Sequence, residues 1–396
     1  MKYLSFLAIA CLAWSSTLTV DAAAPFYSNS QGTAAIPNSY IVVLKGNNTA
    51  ENFEPRFNSI ANRHNARGGR RPKINQKFGA IPGFTLTATR QAMTELLNMD
   101  EVAYIEQDAI GTGMGTQPNP PSWGLTRISQ RNRGRGPYNF PNSAGDGVTV
   151  YVLDTGINTG HVEFGGRAVM GANFIRGAPN TDDNGHGTHV SGTIGGATYG
   201  VAKKVRLVGV KVLDARSSGS MSGFIQGLDW VISVNRGRKA VINMSLGGPR
   251  SNALNDAVGR AARANIPVIV AAGNNPRQNA CNGSPGSAPA AFTVGGSDFN
   301  DRAYRDTSPG DCVDIIGPAV DITSAFIGSR NARTVMTGTS MATPHVVGVA
   351  ALYMSADKNL RSASQVYQTL RATASRNLIS GLRGEANLLV YSGGRN

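Results

Sequence analysis

The chain has 396 residues, 41% hydrophobic and 16% charged, with 48 glycines, a turn-rich globular composition that excludes a coiled coil and a disordered polymer. Its formal net charge of +14 raises nucleic acid as a partner. From residue 117 onward, however, the basic residues apart from Arg131, Arg133 and Arg135 are scattered singly, which is the pattern of a solvated basic surface and not of a stripe that tracks a phosphate backbone.

Met1-Lys2-Tyr3, an apolar run over residues 4–14 and the small patch Ala22-Ala23-Ala24 have the layout of a secretory leader, with cleavage expected near residue 20. The run is shorter than the roughly 20 apolar residues of a membrane span, and no later segment reaches that length. A secreted, extracellular protein free of the membrane is expected. Residues 39–44 then read as a strand, 53–64 as a helix, 84–87 as a strand, 90–99 as a helix and 102–106 as a strand, together a small α+β unit. The basic run 67–73 inside it reads as a solvated loop, with a dibasic processing site as the alternative. Residues 111–121 are rich in Gly, Pro and Asn and suit a linker or processing region.

From Trp123 onward, short apolar runs at 148–153, 205–213, 240–246 and 267–272 alternate with helical patterns at 189–197, 221–234, 253–264 and 340–354. That alternation predicts a parallel sheet covered on both faces, with any active site at the carboxyl ends of its strands.

Three windows carry chemistry. Asp154 stands where an apolar strand ends ahead of Gly156; by itself it is an ordinary turn former. His186 follows Asp182-Asp183-Asn184-Gly185 and opens a helix. The His186-Gly187-Thr188-His189 spacing raises zinc, but a metalloprotease helix needs histidines four apart with an intervening Glu, so His189 reads as structural. Ser340, in Gly338-Thr339-Ser340-Met341-Ala342, starts an apolar helix, where it is either a simple cap or a nucleophile beside backbone N–H groups able to hold an oxyanion. Asn274, after the run ending Ala271-Ala272-Gly273, could add a further donor.

Serine is a poor nucleophile unless an imidazole takes its proton and a carboxylate fixes that imidazole. Only His64, His161, His186, His189 and His345 exist, and the windows supply the parts in the order Asp, His, Ser. Of the three cysteines, Cys11 leaves with the leader, so Cys281 and Cys312 form the one available pair or stay as two free thiols.

Asp154-Thr155-Gly156, His186-Gly187-Thr188-His189-Val190 and Gly338-Thr339-Ser340-Met341-Ala342-Thr343-Pro344-His345 resemble the signatures of the subtilisin-like serine proteases, most closely the fungal proteinase K group, over residues 123–392. Residues 40–106 resemble the family's I9-type inhibitor propeptide. The resemblance implies a doubly wound α/β fold, with a parallel seven-stranded sheet flanked by helices, preceded by a small α+β propeptide domain. It implies a signal peptide at 1–20, a propeptide at 21–116 whose I9-like part covers about 37–113, and a catalytic domain at 117–396. Ser340 would attack the peptide carbonyl, His186 would act as base and then acid, and Asp154 would orient His186. Asn274 and the Ser340 N–H would form the oxyanion hole.

By the same resemblance, an extended polypeptide would lie between Ser218-Gly219-Ser220 and Ser245-Leu246-Gly247. Small residues at Ala271, Ala272 and Gly273 leave a roomy first pocket with no carboxylate in that wall, so broad cleavage after large apolar residues is expected. The propeptide would template folding and then inhibit until it is cut within 109–119, which answers the slow folding of a fold rich in non-local contacts. Catalysis would need no cofactor, whereas Asp314 and the carbonyls of Pro289 and Ala291 would hold a structural calcium ion. The second calcium position is not supported, because Arg131 replaces a neutral hydroxyl residue there. Cys281 with Cys312 looks like a bridge of the bacterial aqualysin relatives. Sequons occur at Asn47, Asn243 and Asn282; the predicted burial of Asn243 leaves Asn47 and Asn282 as glycan sites. A monomer is expected, with neither nucleic acid nor membrane as partner. A catalytically dead scaffold would lack one of Asp154, His186, Ser340 or Asn274, and all are present. A narrow processing protease should carry acidic residues in its first pocket.

Overall fold

A computed structural model describes residues 23–28, 35–109 and 113–393, so the expected leader at 1–20 and Cys11 lie outside the described residues. The chain divides into two compact units, with the boundary near residue 110.

In the first unit the strand Ala35–Leu44 turns Tyr40, Val42 and Leu44 to one face, the alternation expected of a half-buried strand. Thr49 caps the helix Ala50–Ala66 by accepting from the Asn52 N–H, and Thr89 caps Arg90–Leu97 in the same way. Phe53 and Phe57 of the longer helix close on Phe84 of the strand Gly83–Thr87, with ring centroids 5.7 and 6.1 Å apart. Five strands form the sheet, in the order Phe26–Tyr27, Val102–Ala109, Ala35–Leu44, Gly83–Thr87, Lys73–Lys77. Lys73–Lys77 escapes the sequence pattern because it is an exposed edge with a single apolar residue, Ile74. Of the run 67–73, residues 67–71 are an exposed loop, as expected, whereas Pro72 is buried and Lys73 begins the edge strand.

The second unit is built on a sheet of nine strands, two more than the resemblance implies. Seven run parallel in the order Ala168–Asn173, Arg206–Lys211, Thr149–Asp154, Ala240–Met244, Val268–Ala271, Phe292–Ser297 and Val313–Pro318. The additional two, Leu388–Leu389 and Ser375–Arg376, are two-residue pieces extending one edge. Alternate residues of one strand feed opposite layers. Val150 and Val152 join the cluster that holds Val190, Val346 and Val366 of the helices His186–Gly195, Thr339–Ala356 and Ala363–Thr373, whereas Tyr151 and Leu153 join that of Met221–Asn235 and Asn252–Arg263. This is the doubly wound arrangement, and it explains why the strands are apolar without alternation. The order changes direction beside Thr149–Asp154, where ligand crevices form. No helix among the described residues is long and apolar enough to cross a membrane.

Candidate active site

Asp154 ends its strand fully buried, and its Oδ1 lies 2.7 Å from His186 Nδ1. His186 begins its helix behind a loop that only glycine allows. Gly185 has φ 107°, and a Cβ there would meet the Phe326 ring at 2.3 Å; a Cβ on Gly187 would lie 2.1 Å from the Gly156 carbonyl. Asp182 holds that loop from inside, accepting at Oδ1 from the Thr155 hydroxyl and the N–H groups of Asn184 and Gly185, and at Oδ2 from the Thr188 N–H and hydroxyl. Burial works to lower the His186 pKa, but the charge and hydrogen bond of Asp154, with Asp182 behind them, win and hold it above the ordinary 6.5.

The register of the central strands connects these groups to the serine. Asn243 pairs with Val152, and Ser245 follows directly on the end of Ala240–Met244, the parallel neighbour of the strand that Asp154 ends. Ser340 Oγ donates to the Ser245 carbonyl at 3.1 Å, while Ser245 Oγ donates to the Ser340 carbonyl at 3.0 Å. Buried Asn243 donates to Ser245 Oγ at 3.0 Å. Ser340 is thus held at the same sheet edge as His186, with its hydroxyl turned to a carbonyl and no hydrogen bond to the imidazole among the described residues. Asn274 accepts at Oδ1 from the Thr339 N–H and hydroxyl, at 2.8 and 3.0 Å, which fixes its amide and leaves the NH2 end to donate.

Leu246, Gly247, Ala271, Ala272, Gly273 and Asn274 join Ser340 in lining a cavity of about 530 Å3, and none of its lining residues is charged. Ser218, Gly219 and Ser220 do not line it; they form an exposed irregular segment whose Ser220 caps the helix Met221–Asn235. A larger cavity of about 700 Å3 beside Gln130 and Arg131 contains no acid, histidine or cysteine to do chemistry.

The other histidines have structural partners. His64 pairs with Glu95 in the first unit, and His161 contacts the Ala332 carbonyl. His189 and His345 are fully buried and donate to the carbonyls of Ile322 and Met341, and burial pushes both pKa values down to about 4. An unfolded histidine titrates near 6.5, so below that pH the unfolded chain binds protons that the fold refuses. The stability from the two neutral rings is therefore complete above pH 6.5, falls between 6.5 and 4 and is gone below, on the order of 3 kcal/mol for each. Urea midpoints of the Ser340→Ala protein, measured from pH 7 to 4, should fall across this window, and His345→Gln should flatten part of the slope; a flat profile in the parent contradicts the assignment.

Cys281 and Cys312 form a disulfide with Cα atoms 5.7 Å apart. Asn47 and Asn282 are exposed, and Asn243 is fully buried. The oxygen set expected to hold calcium does not fit a divalent ion: Asp314 Oδ1 accepts from Arg371 at 2.5 Å and Oδ2 from the Thr293 N–H at 2.8 Å, so both oxygens are engaged within the chain. Sequence reasoning quoted Asp182 without giving it a role and passed over Lys211. Lys211 is fully buried and donates to Asp183 and to the carbonyls of Thr155 and Leu213. The available signals were an Asp two residues before a turn and a charge inside an apolar strand run.

The peptidase S8 (subtilase) family profile matches residues 145–389, and the peptidase inhibitor I9 profile matches residues 39–112. Subtilisin-like protease 3 of Arthroderma otae is 41% identical over 388 residues, covering 94% of this chain and 95% of that protein. The protein of that name from Trichophyton equinum is 42% identical over the same shares. Subtilisin-like protease 2 of Pseudogymnoascus destructans is 42% identical over 367 residues, 90% of each chain. A crystal structure of a cold adapted subtilisin-like serine proteinase is 46% identical, superimposes with a TM-score of 0.65, and covers 69% of this chain and 99% of that one. With a buried carboxylate on an imidazole, and a serine held at the same sheet edge, the chain belongs to the subtilase family of serine proteases and carries an I9 propeptide domain ahead of its peptidase domain.

Proposed function

We propose that this chain is a secreted endopeptidase made as an autoprocessed zymogen. Ser340 attacks the peptide carbonyl carbon, His186 takes the hydroxyl proton and returns it to the leaving amine, and Asp154 keeps His186 in the tautomer that can do so. The observation that carries this reading is the 2.7 Å Asp154–His186 hydrogen bond at the end of one strand, with Ser340 hydrogen-bonded to Ser245 just past the end of its parallel neighbour. Rotation about the Ser340 Cα–Cβ bond moves the hydroxyl from the Ser245 carbonyl to the imidazole when substrate enters. The Ser340 N–H, at a helix N-terminus, and the Asn274 NH2 receive the oxyanion. No cofactor takes part in the chemistry.

Substrate binds extended along Ser245-Leu246-Gly247, with Ser218-Gly219-Ser220 on its other side, and puts its P1 side chain into the uncharged cavity beside Ala271, Ala272 and Gly273. Main-chain pairing reads little sequence, so specificity is broad and favours large apolar P1 residues. On peptides differing only at P1, the wild type should cleave after Phe and Leu faster than after Asp or Arg. Asn274→Ala should lower kcat by about 10² to 10³ for every peptide with KM nearly unchanged, a magnitude taken from the corresponding amide of subtilisin. A rise in KM alone removes Asn274 from the oxyanion role, and a preference for basic P1 overturns the pocket assignment.

The leader is 1–20, the propeptide 21–116 and the mature enzyme 117–396, with the cut inside 109–119. Release at residue 116 requires the strand Met114–Gln117, paired with Tyr138–Pro141, to open. The propeptide serves as folding template and inhibitor. The mature enzyme acts as a monomer outside the cell, apart from membranes and nucleic acid, with a glycan at Asn282; a glycan at Asn47 leaves with the propeptide.

A further inference from the structure

Asp314 departs from the family expectation because a side chain of this chain already occupies it. Its carboxylate receives Arg371 Nη2 at 2.5 Å on one oxygen and the Thr293 N–H at 2.8 Å on the other. Arg371 comes from the last turn of the helix Ala363–Thr373, and its guanidinium lies 5.0 Å over the ring of Phe292, the residue between Ala291 and Thr293. The same helix holds the neighbouring loop, because the Tyr367 hydroxyl sits 3.1 Å from the Ala290 carbonyl, between the two carbonyls that the family would use. The segment that an ion would organise is therefore organised by one helix. A divalent ion on these oxygens would also face a fixed positive charge within hydrogen-bond distance of its only carboxylate.

A second guanidinium does similar work nearby. Arg131, at the other calcium position, donates to the Thr373 carbonyl at 2.8 Å and Ser375 Oγ at 3.2 Å and covers the Tyr391 ring at 3.7 Å. The chain around 371–375 is thus tied by one arginine of its own and one from residue 131.

We propose that Arg371 is a built-in replacement for the structural cation: its guanidinium neutralises Asp314 and fastens the helix Ala363–Thr373 to the strand Val313–Pro318, so calcium does not bind at Pro289, Ala291 and Asp314. Removing the guanidinium should uncover a cation seat made of those same three residues, because a carboxylate and two carbonyls are the oxygen ligands that calcium takes.

The test uses the full chain carrying Ser340→Ala, so that self-digestion plays no part and the readout is independent of the protease assignment. Bound calcium is counted by equilibrium dialysis, and thermal midpoints are taken in chelator and in millimolar calcium. The parent and its Asp314→Asn variant should bind the same number of ions. Arg371→Ala should melt lower in chelator, take up one further calcium ion and regain its midpoint when calcium is added; adding Asp314→Asn should abolish that recovery. The proposal is overturned if Asp314→Asn binds one ion fewer than the parent, or if folded Arg371→Ala gains none. The comparison of parent with Asp314→Asn decides the matter even if Arg371→Ala does not fold.

Discussion

Ser340→Ala should leave the precursor at full length and lower peptide hydrolysis by about 10⁶, the loss known for the corresponding serine of subtilisin. No other side chain at this site can substitute for it. Asp154 and His186 are committed to each other, Asn274 offers only an amide, and the cavity lining contains no charged group. The wild type should trim itself near residue 116 and lose activity to phenylmethanesulfonyl fluoride, which reacts with the activated hydroxyl. N-terminal sequencing, intact mass and peptide cleavage of the two proteins side by side decide this. Equal processing and equal activity would sink both the nucleophile and the self-processing.

Asp154→Asn should lower kcat by about 10⁴, because an amide in place of the buried carboxylate favours the wrong tautomer of His186. It should also move the pH profile in a defined direction. Catalysis needs His186 neutral, so activity falls as pH drops through its pKa. In the wild type, Asp154 raises that pKa above 6.5 against the opposing effect of burial. With the charge removed, burial acts with less opposition, and the acid limb of kcat/KM should shift to lower pH in the variant. Profiles from pH 4 to 9 show the limb directly. A limb that stays in place would mean that the group titrating in the wild type is not His186 paired with Asp154.

The loop before His186 shows how a fold keeps such a pair in register. Asp182 binds donors on both sides of His186, from Thr155 to Thr188, and so ties the strand that delivers the carboxylate to the helix that delivers the imidazole. Lys211, at the end of the next strand, reaches back to the Thr155 carbonyl and to Asp183. Both are buried or nearly so, where such charge-assisted bonds are least screened.

Asp154, His186 and Ser340 stood out in the sequence as candidates because each is a polar residue at the boundary of an apolar run with glycine within two residues, and the alternation of strand and helix dictates a parallel sheet with such boundaries on one edge. The strands Phe292–Ser297 and Val313–Pro318 were not legible. Phe-Thr-Val-Gly-Gly-Ser has little strand propensity of its own and is extended because neighbours on both sides complete its ladder. The edge strand Ala168–Asn173 went unread for a similar reason, with the ladder of Arg206–Lys211 supplying what Ala-Val-Met-Gly-Ala-Asn lacks. The sequence by itself determined the layered fold and the order of the residues proposed for catalysis, since local pattern and periodicity set those. Only the tertiary structure decided that Ser340 rests on the Ser245 carbonyl, that Asp182 and Lys211 brace the histidine loop, and that Arg371 closes on Asp314. Each of these depends on which side chains a distant part of the chain brings within hydrogen-bond range, and spacing along the sequence carries no record of that distance.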